Sequence, residues 1–188
     1  MTSRGGVESP ADNIGVETGK PVEWYEDLLY DDVVPIGDEM GGQGAVGSPT
    51  AYFKILESLL HDDEKLLKSE TVKQMFSPQL VGGSKEACQQ THEMDMWKGK
   101  FSSHKVGTDL NWGLAGLLVQ SDEDSGIKKG TLTWGGLPNL QWSIDRESGL
   151  ALLYAGNVLP FGDPASYRYQ QLFEKEMYDR LASSRSNE

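Results

Sequence analysis

The sequence predicts an α+β fold, with helices first, then an antiparallel sheet, then a C-terminal helix packed on that sheet. Before residue 80, apolar residues recur at helical spacing behind Ser and Pro start signals. Between residues 110 and 156, short apolar runs alternate with tight polar turns, which predicts an antiparallel meander. From residue 163, an Asp-Pro pair opens a last helical pattern.

The elements follow in chain order. Residues 1–36 are rich in Gly, Pro and acidic residues and read as mostly disordered or irregular, with "EWYEDLLYDDVVP" docking as an irregular or short helical segment. Residues 37–182 read as the folded part and 183–188 as a disordered tail. In "GDEMGGQGAVGSPTAYFKILESLL" a glycine-rich loop runs into a helix, with Ser48 at the N-cap and Pro49 at the first helical position. Tyr52, Phe53, Leu56, Leu59 and Leu60 form its apolar face. Ser69 is expected to cap a shorter helix, "ETVKQMF", that Pro78 ends. Residues 80–108 read as polar and irregular. About three strands are expected, near 112–120, 129–145 and 149–156, with an open apolar edge at "LALLYAG" or "GLAGLLVQ". "SDEDSGIKKG" and "RESG" are turns, and Gly149 suits a positive φ. Asp163 caps the last helix and Pro164 starts it, with Tyr169, Leu172, Phe173, Met177 and Leu181 as its apolar stripe.

Composition excludes several classes of function. A length of 188 residues suits one domain with a real core. A hydrophobic content of 37% and a charged content of 24% fit a soluble globular chain. The formal net charge of −12, with no basic run, argues against nucleic acid as a partner and disfavours anionic membranes. Cys88 is the one cysteine, so no internal disulfide and no cysteine zinc site is possible, and it reads as an ordinary free thiol. His61, His92 and His104 lack metal-ligand spacing and read as surface residues, so no metal and no cofactor is expected. There is no apolar run of the roughly 18 residues that a membrane span needs. The N-terminus has no apolar signal core and no Asn-x-Ser/Thr site occurs, so a cytoplasmic location is expected.

One stretch asks for a chemical explanation. In "GTLTWGGLPNLQWSIDRESG" a strand carries Trp134 and then Gly135 and Gly136. A glycine pair weakens a strand, because it costs backbone entropy and packs nothing. Two readings stay open on the residues alone: close approach of a ligand or backbone, or a β-bulge or sharp bend.

Several blocks in fixed order carry a resemblance. They are "DEMGGQGAVGSPTAYFKILESLL", "KLLKSETVKQMFSPQL", "LNWGLAGLLV" and "GTLTWGGLPNLQWSIDRESGLALLYAGNVLPFGD". Together they resemble the C-terminal half of β-lactamase-related serine hydrolases and acyltransferases, closest to the fungal esterase and transesterase branch typified by lovastatin side-chain acylation. The likeness runs from about residue 30 to residue 182, with a poorly matched stretch near 81–105. It implies part of a serine β-lactamase/penicillin-binding-protein-like fold. It also implies acyl transfer through a serine ester, with a small-molecule ester or acyl substrate. In penicillin-recognising enzymes a sheet strand bearing Lys-Thr-Gly lines the active-site floor, and the esterase branch is similar but has Trp-Gly-Gly there. By this resemblance the Leu137 N–H is an oxyanion-hole donor. Trp134, Gly135 and Gly136 border the substrate, with Trp134 an aromatic wall or, alternatively, a core residue. Pro138 and Asn139 match the pattern as substrate-site residues with a shaping role.

The departures weigh as much. The family's nucleophile sits in Ser-x-x-Lys at the start of a buried helix upstream of the glycine-rich loop, and a Tyr-x-Asn or Tyr-x-Ser element supplies a second base. None of the seven tyrosines begins such an element. Ser102–Lys105 and Ser125–Lys128 have the spacing, but lie downstream and open no apolar helix. No nucleophile is therefore assigned. The expectation is a truncated fragment, inactive alone. The alternatives are one half of a split enzyme that needs an N-terminal half, and a non-catalytic binding or regulatory remnant. Self-association through an unpaired sheet edge is expected as well.

Overall fold

In the computed structural model, residues 48–94 and 107–186 are described. Contacts divide the chain into the units Met1–Tyr52 and Phe53–Glu188, and the sheet belongs wholly to the second. The glycine-rich loop of residues 37–47, the segment 1–36 and the pair Ser102–Lys105 lie outside the described residues.

Helix α1 (Pro49–His61) begins where its cap signals place it, and the Ala51 N–H donates to Ser48 Oγ at 3.2 Å. Leu56 and Leu59 are its buried residues, while Phe53 stays exposed. Helix α2 (Ser69–Met75) corrects the reading of Ser69. Lys68 holds the N-cap position, and Ser69 is already helical. The Ser69 hydroxyl donates to Asp62 Oδ2 at 2.8 Å, so a carboxylate from the end of α1 takes it away from any capping role. The same Asp62 oxygen accepts from Arg146 at 3.1 Å, and the Arg146 guanidinium lies 5.2 Å from the Phe76 ring centroid.

Helix α3 (Gly83–Glu93) occupies a stretch expected to be irregular. It buries no residue, so no apolar periodicity announces it, and good helix formers such as Lys, Glu, Ala and Gln carry it. Gln89 fastens it to the chain entering the sheet. Its Nε2 donates to the Thr108 carbonyl at 2.9 Å, and its Oε1 accepts from the Leu110 N–H at 3.0 Å.

The sheet has five antiparallel strands in the order β1-β2-β3-β4-β5, where about three were expected. They are β1 (Leu110–Trp112), β2 (Leu117–Val119), β3 (Leu132–Gly136), β4 (Leu140–Asp145) and β5 (Leu150–Tyr154). Two of the expected strand segments are each a hairpin. In the first, Gly113 and Gly116 reverse the chain, and the Gly113 N–H donates to the Gly116 carbonyl at 2.8 Å. A Cβ on Gly113 would lie 2.0 Å from the Met75 carbonyl oxygen, so only glycine lets this turn pass the end of α2. The edges differ from expectation too. "GLAGLLVQ" contributes β2, which is interior and paired on both sides. Beside β1, the Gln79 N–H donates to Trp112, while the Asn111 amide both accepts from and donates to the Leu80 backbone. "LALLYAG" contributes β5, an edge of the described sheet, as expected.

The two faces of the sheet have different chemistry. Leu118, Leu132, Trp142 and Ile144 pack with Leu56, Leu59, Val72 and Met75 of α1 and α2. On the other face Leu110, Leu117, Val119 and Ile127 pack with Tyr178 of α4 (Pro164–Arg185). Helix α4 starts on its predicted cap, and Asp163 accepts from the Ser166 N–H at 2.7 Å. Its predicted apolar stripe is half right: Phe173, Met177 and Leu181 are half-buried, but the fully buried line runs beside them. Ser166, Gln170, Glu174 and Tyr178, spaced by four, are the buried residues, whereas Tyr169 is 62% and Leu172 53% exposed. The reason lies in β4, where Gln141, Ser143 and Asp145 alternate with Leu140, Trp142 and Ile144 and are buried themselves. The two polar surfaces are joined at Asp145 and Tyr178, while Gln141 Oε1 is buried with no hydrogen-bond partner among the described residues. Buried Asp145 accepts from the Tyr178 hydroxyl and from the Ser148 N–H, each at 2.9 Å. Burial, and then the neighbouring Asp145 carboxylate, push the Tyr178 phenol above its ordinary pKa. The helix runs to Arg185, so residues 183–185 are helical where a disordered tail was expected. Among the described residues no helix is long and apolar enough to cross a membrane.

Two predictions follow from α4. Tyr178→Phe leaves a buried carboxylate short of a donor and should cost about 1.5–3 kcal/mol, whereas Tyr169→Ser should stay within about 0.5 kcal/mol. Urea unfolding of both variants checks that the buried line runs through Tyr178 and not Tyr169, and equal effects would refute it. The second concerns acid. The Ser166 backbone N–H, first among its partners, holds the Asp163 carboxyl below its ordinary pKa. Its stabilising effect is therefore present above the unfolded-state pKa and is lost as pH falls through the lower folded-state value. Asp163→Ala should lower Tm at neutral pH, and the gap to the parent should close as the carboxyl protonates.

Candidate active-site strand

The β3–β4 hairpin places the predicted site residues. Its register runs unbroken, with Trp134 opposite Trp142, Gly135 opposite Gln141 and Gly136 opposite Leu140. A bulge would set two residues against one, so the bulge reading of the glycine pair falls. The other side of β3 is different. Strand β2 pairs with it only at Leu132 and Thr133, because β2 begins at Leu117 and the chain before it turns away through Gly116. Among the described residues, Gly135 and Gly136 therefore have ladder partners on the β4 side alone. This is an open backbone edge in the middle of a sheet.

Trp134 is half-buried. Its ring stands edge-on to Trp112, with centroids 4.6 Å apart at 78°, and it packs against both core clusters. The core role is thus visible in the structure. Gly136 takes no left-handed φ, and a Cβ there would meet Leu140 side-chain atoms at 3.2 Å. Leu137 opens the loop after β3, with its side chain 63% exposed. Its N–H makes no backbone hydrogen bond to another described residue.

The loop closes on Asn139. Its φ of 57° lies in the left-handed region, which Asn tolerates better than most residues. The Asn139 N–H donates to the Gly136 carbonyl at 3.1 Å. Its side-chain Nδ2 donates to the Val158 and Pro160 carbonyls at 2.7 and 2.8 Å, and its Oδ1 accepts from the Gly162 N–H at 2.8 Å. The Pro138 carbonyl accepts from the Val158 N–H at 3.1 Å. Asn139 is buried, and its side-chain amide is engaged by the chain itself. An Asn three residues after a glycine-ended strand signals a turn, but nothing local reveals a partner loop some twenty residues on.

Ser125 and Cys88, the described residues with a nucleophile-like spacing or chemistry, lack the surroundings that role needs. Ser125 stands in a turn, and Lys128 Nζ is bound to Asp122 Oδ2 at 2.9 Å. That bond raises the ammonium pKa, the wrong direction for a base. Cys88 on α3 is half-buried, and burial raises its thiol pKa. Its Sγ lies 3.9 Å from His92 Nδ1, but the same nitrogen lies 2.9 Å from the Cys88 carbonyl. A carbonyl only accepts, so Nδ1 carries the proton and cannot take one from the thiol. His92 is half-buried on a helix that buries no residue. Among the described residues no group of three His, Cys, Asp or Glu side chains could hold a metal ion.

No family model matches the chain. Individual relatives do. ML-236A carboxylate methylbutanoyltransferase from Penicillium citrinum is 33% identical over 160 residues, which cover 82% of this chain and 38% of the relative. Lovastatin esterase from Penicillium rubens is 34% identical over 148 residues, 76% of this chain and 36% of the relative. Among solved structures, a mutant of simvastatin synthase from Aspergillus terreus superposes with a TM-score of 0.73 at 34% identity, over 78% of this chain and 37% of that one. The chain thus spans well under half the length of the relatives it matches. Sequence and fold agree, and this chain belongs to the family of these fungal acyltransferases and esterases, as a C-terminal part of such a protein.

Proposed function

We propose that this chain forms the strand side of a serine acyl-transfer site for a small-molecule ester or acyl substrate. The observation that carries the reading is the open β3 edge at Gly135–Gly136, which leads into the Leu137 N–H. An acyl group lying along this edge meets no Cβ and brings its carbonyl oxygen to the Leu137 N–H. Trp134 stands beside the edge, and Pro138 and Asn139 hold the loop. One oxyanion donor of this kind is worth roughly 2.7–4 kcal/mol in the transition state.

The nucleophile is not supplied by these residues. Neither Ser-x-x-Lys at the head of an apolar helix nor Tyr-x-Asn/Ser occurs in the sequence. On this reading the serine, its lysine and the second base come from another segment or chain, and the 188 residues alone do not turn over substrate. Strand β5, an edge of the described sheet, offers backbone groups for that segment to pair with, or for self-association in its absence.

Three outcomes are expected. Incubated with p-nitrophenyl butyrate and read by intact-protein mass spectrometry, the chain alone should carry no acyl adduct. A stoichiometric adduct on any of its serines would overturn the assignment. When a segment bearing the missing motifs restores turnover, Gly136→Val should reduce it by at least about 10²-fold, the scale of a lost oxyanion donor. Activity within a few-fold of the parent would show that this edge does not face the substrate. Without such a segment, light scattering after size-exclusion chromatography should show association, and a clean monomer would count against an open β5 edge.

A further inference from the structure

We propose that Gln170, on α4, is a positioning residue for the loop that carries the Leu137 N–H, and that it acts through Asn139. The inference rests on the acyl-transfer reading above for its purpose, though not for its geometry.

Gln170 is 5% exposed and Asn139 is 6% exposed. Gln170 Nε2 donates to the Asn139 backbone carbonyl at 2.5 Å. The same carbonyl is confined from another side. A Cβ on Gly156 would lie 2.4 Å from its oxygen, so the Gly156 backbone passes directly against it. Asn139 needs such confinement, because a non-glycine residue at positive φ sits in a sparsely populated region unless its surroundings fix it.

Helix α4 and the turn that leads into it hold the loop at two levels. Near its start, Gly162, next to the capping residue Asp163, donates to Asn139 Oδ1 at 2.8 Å. About two turns further on, Gln170 binds the Asn139 main chain. One attachment in the helix and one in the turn that leads into it hold the Asn139 peptide from two directions. The Asn139 N–H bond to Gly136, at 3.1 Å, then closes a loop of three residues. Leu137 lies between two fixed ends, so its N–H has little freedom of aim. Oxyanion donors act because they are oriented before the charge develops, and here the orientation traces back to a side chain that is no part of the strand. This also accounts for a glutamine on the buried stripe of α4, where an apolar residue would fill space but give Asn139 no donor.

The test uses the full chain and two variants. Gln170→Met keeps the length of the side chain and removes the donor. Asn139→Gly keeps the positive φ without strain and removes the side-chain bonds. Hydrogen exchange read by mass spectrometry with residue-level fragmentation compares the amides of Asn139, Val158 and Gly162 with those of β4. In Gln170→Met, the Asn139 and Val158 amides should exchange about tenfold faster with β4 unchanged, the local effect of losing one buried hydrogen bond. Asn139→Gly should free Gly162 as well. Unchanged exchange in both variants overturns the proposal, and so does an increase of equal size in β4, which would mean general loss of stability. In the complemented enzyme, Gln170→Met should lower kcat and leave KM within a few-fold. If the loop loosens and kcat does not fall, the clamp stands and the oxyanion reading fails.

Discussion

Strand β4 sets the terms for everything packed around it. Its alternating side chains put Leu140, Trp142 and Ile144 on one face and Gln141, Ser143 and Asp145 on the other, and nearly all of them are buried. The apolar face collects α1 and α2 and makes the larger core cluster. The polar face cannot be covered by an apolar helix without leaving donors and acceptors unpaired. Helix α4 therefore turns its polar stripe inward, and the Asp145–Tyr178 pair and the Gln170–Asn139 contact both follow from that orientation.

The same constraint links the core to the site. Pairing with β4 keeps β3 straight through Gly135 and Gly136, while β2 leaves it after Thr133. One strand is thus central over its first half and an edge over its second. The second half inherits rigidity from the central half, while among the described residues its backbone pairs on the β4 side alone. Loop residues 137–139 extend that edge, and α4 fixes where the extension points.

Local signals in the sequence located what depends on local chemistry. Ser48 and Asp163 cap their helices because a cap needs only the next few residues. Ser69 looked like a third cap, but its hydroxyl answers to Asp62 on another element. Helix α3 was missed because it buries nothing, and burial is what leaves a periodic trace. The stripe of α4 was partly legible, since Phe173, Met177 and Leu181 are half-buried, but hydropathy gives no sign of a polar line buried beside them. The count of about three strands took two glycine-containing hairpins for single strands, and the turn at Gly113 is dictated by Met75, far away in sequence. At the site, the Trp-Gly-Gly motif was legible and its two explanations were not separable until the register was known. The bonds of Asn139 to residues 158–162 carried no signal in the sequence.

Arg146 has a consequence for how this architecture tolerates its surroundings. It joins the turn after β4 to Asp62 at the end of α1 and to Phe76 at the end of α2. The two attractions respond differently to dissolved ions. Added salt screens a partly exposed ion pair, whereas contact between a guanidinium and a ring face keeps its dispersion and stacking component. A single cation thus serves the junction of three elements through two contacts, and a lysine would offer one compact ammonium in place of the guanidinium's spread donors. The junction is buffered against ionic strength by the shape of one side chain.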